Sequence, residues 1–220
     1  SLGLDQKAVS FNPKPFDTSV SHKDKKTGEE VLVKDDPRIV DPALKESAFL
    51  TNIFNRLARS CFYGAANVCD AHLPQVAPHA EVVEACRRAT LEFERLAHGF
   101  DAHGALAVAE ELCRQENKRW DDASKAAKGD DAAYEQALAD AFCALRTVTL
   151  LMHPAVPSGC EKICEHMGFG AEDFFSWKHA FDGPVELAAT LGQTPVEHAI
   201  VPLPPRFDFF EKHPSQVKKK

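Results

Sequence analysis

Apolar residues recur along the middle of the chain with the spacing of an amphipathic helix, four times over. Leu50, Phe54, Leu57, Cys61, Ala65 and Val68 advance by threes and fours, which keeps them on one side of a helix with about 3.6 residues per turn. Val82, Cys86, Ala89, Phe93 and Leu96 repeat the rhythm after "LPQVAP" breaks the chain. Leu106, Ala109, Cys113 and Glu116 lead to Trp120, and Tyr134, Leu138, Ala141, Leu145, Val148 and Met152 follow the turn "KGDD". Pro154 and Pro157 end that fourth helix. Ser158 with Glu161 three residues on has the form of a capping box for a fifth helix, whose Cys160, Ile163, Cys164 and Met167 share a face.

Outside this region the pattern changes. Residues 1–42 hold "FNPKPF", "HKDKKTGEE" and "DDPRIVDP", rich in proline and charge. They predict an irregular arm in which short strands are allowed and a long helix is not. "DFFSWKHAF" predicts a short helix or turn, and "LGQTPVEHAIVPLPPRFDFF" an extended segment or hairpin folded back over the helices. The fold class is therefore all-α, an antiparallel bundle of about five helices. Its expected divisions are an N-terminal arm over 1–42, a helical domain over 43–183, and an extended C-terminal segment with a basic tail over 184–220.

Composition adds limits. The 220 residues are long enough for one good-sized core. A net charge of −7 argues against indiscriminate nucleic-acid binding while leaving room for a local basic patch. The seven cysteines are odd in number and sit inside apolar-periodic segments, the pattern of free thiols in a reducing cytoplasm. There is no run long enough to span a membrane and no signal-peptide layout, so no membrane partner is expected. The chain starts at "SLGLDQ" without an initiator Met, which reads as a segment of a longer protein.

Three constellations bear on chemistry. His153, Cys160, Cys164 and His166 invite a metal-site reading, but on a helix His166 points about 120–200° from the two cysteines, and His153 lies across two prolines. Buried thiols behind a helix start explain the stretch, and no metal is assigned. Catalysis by this segment alone is not expected, since there is no Gly-rich phosphate loop and no nucleophile elbow. The third constellation is a strip. With Leu50 as the zero of a helical wheel, Asn52, Arg56, Arg59 and Tyr63 fall at about 180–240°, opposite the apolar stripe. An amide, two guanidiniums and a phenol suit splayed-out RNA bases, and they equally suit a solvated helix face. Arg87–Arg88, Lys118–Arg119 and the tail "QVKKK" are weaker candidates for phosphate contact.

Three stretches resemble the anticodon-binding end of methionyl-tRNA synthetases. "LTNIFNRLARSCF" (50–62) is similar to the family's first bundle helix, which carries an Asn and, four residues on, an Arg, here Asn52 and Arg56. "LRTVTLLMHPAVPSGCEKICEHMGF" (145–169) is similar to its long helix ending in Pro-x-x-Pro, followed by a helix with Glu-Lys-Ile and a Gly. "VPLPPRFDFF" (201–210) resembles its closing Leu-Phe-Pro-Arg segment. The resemblance implies that Asn52 and Arg56, together with a Trp, read the anticodon of tRNA(Met). It also implies a partner catalytic domain in the same parent protein, preceding Ser1, that uses ATP and magnesium to join methionine to the tRNA. This segment would hold no cofactor and be inactive alone.

The sequence departs from the family at the Trp. The family's Asn opens a run ending in Pro-Trp nine residues later, whereas the ninth residue after Asn117 is Ala126 and Trp120 follows by three. Trp120 either continues the buried stripe of its helix or stacks on RNA as a displaced reader. The anticodon-binding bundles of valyl, isoleucyl, leucyl and cysteinyl enzymes, and a helical protein-interaction domain without RNA, are the alternative readings.

Overall fold

The computed structural model describes residues 20–23, 27–33 and 48–212. Within the predicted arm, β1 (Val20–Lys23) and β2 (Glu30–Val33) form an antiparallel hairpin in which Val20 faces Val33. The rest of that arm and the "QVKKK" tail lie outside the described residues.

The bundle enters through a wide turn with i to i+5 bonding, Phe49–Phe54, which runs directly into α1 (Asn55–Val68). Then come α2 (Ala80–His98), α3 (Ala102–Ala126) and α4 (Asp131–Met152). The four predicted stripes become four helices. Asp101 caps α3 by accepting from Gly104 N, and Asp130 caps α4 by accepting from Ala133 N. The start of α2 is capped from across the bundle, where Asp140 Oδ1 accepts from His79 N at 2.7 Å. These acceptors satisfy amide groups that a helix start leaves unpaired.

α4 is the centre of the bundle and packs against α1, α2, α3 and α5 (Pro157–His166). Every residue from Ala137 to Met152 is buried. A helix apolar nearly all round belongs in the middle of a bundle. Its one fully buried cation, Arg146, lies over the Phe174 ring at 4.4 Å and donates from Nη2 to His179 O at 3.3 Å. Burial pulls the Arg146 guanidinium down to about 10.

Two boundaries differ from expectation. The capping box at Ser158 does not form: the N-cap is Val156, two residues earlier, Pro157 opens α5, and no side chain caps it. A first-turn proline removes one of the amides that a helix start leaves unpaired. The C-terminal region, expected to be extended from 184, instead begins with helix α7 (Pro184–Thr190), again opened by a proline. Before it, "DFFSWKHAF" folds as α6 (Ala171–Phe174) and a 3-10 turn (Trp177–His179).

Beyond Leu191 the chain does fold back over the bundle as an extended strap. Ile200 N donates to Ala71 O at 2.9 Å, and Val201 N donates to His166 O at 2.8 Å. At Gly168, φ is +80° and a Cβ would lie 2.6 Å from Ala199 O, so both the conformation and the close strap demand glycine. Phe209 and Phe210 then insert beside Phe62 and Phe54, with ring centroids 5.5 and 4.9 Å apart respectively. One apolar core thus runs from Phe49 to Phe210.

Candidate nucleic-acid interface

α1, the last turns of α3, the first turn of α4 and the strap enclose an open groove of about 610 Å³. Four of the five residues singled out from the sequence line it: Arg56, Arg59, Tyr63 and Trp120. Asn52 is exposed but stands outside the lining. It lies in the wide turn Phe49–Phe54, whose i to i+5 bonding unwinds the helix.

The groove residues are held in different ways. Arg59 Nη1 pairs with Asp208 Oδ1 of the strap at 2.7 Å, with both side chains about one-third exposed (33% and 39%). The Tyr63 hydroxyl donates to Pro204 O at 2.8 Å and accepts from Phe207 N at 3.4 Å. Two members of the strip thus hold the strap. Arg56, exposed on the same face, donates through Nε to Asn117 Oδ1 at 3.0 Å. Trp120 is only 8% exposed and meets Tyr134 edge-on at 5.4 Å. α3 continues to Ala126, so Trp120 stays on its buried face and forms the floor of the groove.

Two further residues carry the site and were not identified as site residues from the sequence. Asn55, fully buried in α1, accepts from Phe209 N and Phe210 N at 3.0 Å each and donates to Phe210 O at 2.7 Å. It clamps the strap to the helix, and its only sequence signal is an amide beside Phe54 in an apolar stripe. Arg206 reaches the groove from the strap with φ +61°, in the left-handed region. Its signal was the Pro-Pro step before it, which turns the chain where the strap passes α1.

The groove joins guanidiniums, aromatic rings and small polar groups (Ser60, Asn67, Ser124). It offers donors and stacking faces, with no nucleophile–base pair among the lining residues. Nearby, the Lys125 hydrogen bond holds the Asp121 carboxyl below its ordinary range, with Arg56 adding a smaller pull.

The other candidate clusters have local partners. Cys160 and Cys164 are buried, and burial pushes both thiols up, Cys164 to about 12. Cys164 Sγ donates to Phe169 O at 3.3 Å, while the His166 ring nitrogen Nδ1 lies 2.9 Å from Val201 O. His153 stacks on Phe175 at 3.7 Å. Among the described residues no group of three His, Cys, Asp or Glu side chains is placed to hold a metal ion. Arg87 lies over the Phe181 ring, and Arg119 pairs with Glu81 and Glu116, so both already have protein partners.

No protein-family model and no curated protein matches the chain. The fold of the bundle is nevertheless similar to that of solved methionyl-tRNA synthetases. In particular, methionyl-tRNA synthetase of Mycobacterium tuberculosis bound by methionyl-adenylate superposes with a TM-score of 0.60 at 21% identity, covering 78% of this chain and 34% of that one. The apo form of the M. tuberculosis enzyme gives 0.56 at 20% identity, covering 77% and 32%. The chain thus spans about a third of the length of those proteins, and the likeness establishes a methionyl-tRNA-synthetase-like fold. Among the described residues no helix is long and apolar enough to cross a membrane.

Proposed function

We propose that this chain is the anticodon-binding part of a cytoplasmic methionyl-tRNA synthetase. It would hold the anticodon stem-loop of tRNA(Met) while a catalytic domain of the same parent, supplied with ATP and magnesium, joins methionine to the acceptor end. The observation that carries this reading is the groove itself. On a synthetase fold, it gathers Arg56, Arg59, Arg206, Tyr63 and Trp120 around an opening of about 610 Å³. Unstacked bases lie against aromatic rings and guanidinium planes, and their edges accept from the Arg fork. Arg56 is the principal reader, with Asn52 a turn away at the rim. Arg206 supplies positive charge to the backbone, Arg59 keeps the strap in place through Asp208, and the Trp120 floor limits depth.

The strap's hold on Arg59 and Tyr63 is the one observation that favours a helical interaction module without RNA. Binding of tRNA(Met), and of the same tRNA with an altered anticodon, to the parent chain and to Arg56→Ala separates the readings. Loss of a base contact should remove roughly 1–3 kcal/mol of discrimination, seen chiefly on the native anticodon. Equal losses on both RNAs would reduce Arg56 to a phosphate contact. Absence of binding to either would leave the interaction module.

A further inference from the structure

The two arginines of the α1 strip are held by chemically different partners. Arg59 faces a carboxylate, Asp208, which balances its charge. Arg56 donates instead to the neutral amide of Asn117, which accepts from Nε at 3.0 Å, while the Asp121 carboxyl one turn further on acts on it only through space and is itself bonded to Lys125. Asn117 is 4% exposed and projects from α3 one turn before Trp120, so its amide is fixed by the core. Both Nη groups of Arg56 lack a hydrogen-bond partner among the described residues, and the side chain lines the groove.

An arginine on an exposed helix face samples many rotamers, and binding must freeze one of them. Anchoring Nε fixes the plane of the guanidinium. It leaves the edge carrying Nη1 and Nη2, two parallel donors whose spacing matches a pair of acceptors on a base edge. A neutral acceptor does this without adding an ion-pair partner at Nε.

We propose that Asn117 is a positioning residue, presetting the Arg56 fork for an RNA base in the groove. This rests on the anticodon-binding reading, and the test keeps the two apart. In the full chain, Asn117→Ala should lower the preference for tRNA(Met) over its anticodon-altered form by roughly tenfold while leaving the altered RNA's affinity in place. Asn117→Ala should add nothing in an Arg56→Ala background, as coupled residues behave.

Arg56→Ala losing discrimination while Asn117→Ala keeps it would overturn the positioning role alone. So would equal loss on both RNAs in Asn117→Ala. Arg56→Ala with unchanged discrimination would overturn the anticodon reading and the positioning role with it. A second measurement needs no RNA and no variant. In the nuclear magnetic resonance spectrum of the free chain, the Arg56 Nε–H should be resolved and protected from exchange relative to other exposed arginines. Rapid exchange there would also overturn the proposal.

Discussion

Trp120 is both core and groove wall. At 8% exposed and edge-on to Tyr134, it makes its largest contribution through packing. Trp120→Ala should therefore cost about 3–5 kcal/mol of stability in chemical denaturation. A variant that melts like the parent yet binds tRNA poorly would make the ring a stacker instead. Glu116, one turn earlier on the apolar stripe, is also buried, and desolvation raises its carboxyl above the ordinary range against the opposing pull of Arg119. Its folded pKa exceeds its unfolded value. The stability linked to it is therefore full below the unfolded pKa and is lost as pH rises through the folded one. Glu116→Gln cannot titrate, so its melting temperature relative to the parent should move upward as pH rises above about 4. A difference that stays flat or falls would contradict this assignment.

The strap is the element that turns a bundle into a site. It supplies Arg206, holds Arg59 and Tyr63, and is fixed by Asn55 and by Phe210 against Gly159. A Cβ on Gly159 would overlap the Phe210 ring. Gly159→Ala should therefore displace the strap's end and destabilise the protein by about 1–3 kcal/mol. Near-wild-type melting with Phe210 still protected from exchange would show that the contact gives way cheaply. The helices were legible in the sequence because their period is local: Leu50 to Val68 and Tyr134 to Met152 each repeat within one segment. The docking of the strap was not, because Asn55 and Phe210 are 155 residues apart and neither has a periodic signature. Asn52 lies in the wide turn Phe49–Phe54 and is exposed, as the wheel predicts, but it does not line the groove. Arg56, Arg59 and Tyr63 fell together because α1 is regular from Asn55 onward.

For the whole molecule, a net charge of −7 coexists with a groove lined by three arginines. Under the proposed function, attraction for RNA is local and salt-sensitive, and discrimination comes from base contacts rather than bulk charge. The most direct measurement is titration of the full chain with an isolated anticodon hairpin of tRNA(Met), and with hairpins altered only in the anticodon, across a range of salt. Saturable binding should be seen that weakens with salt and favours the native anticodon by at least roughly tenfold at each salt concentration. Hairpins that bind equally well whatever their anticodon, or none that bind at all, would contradict the anticodon-binding function.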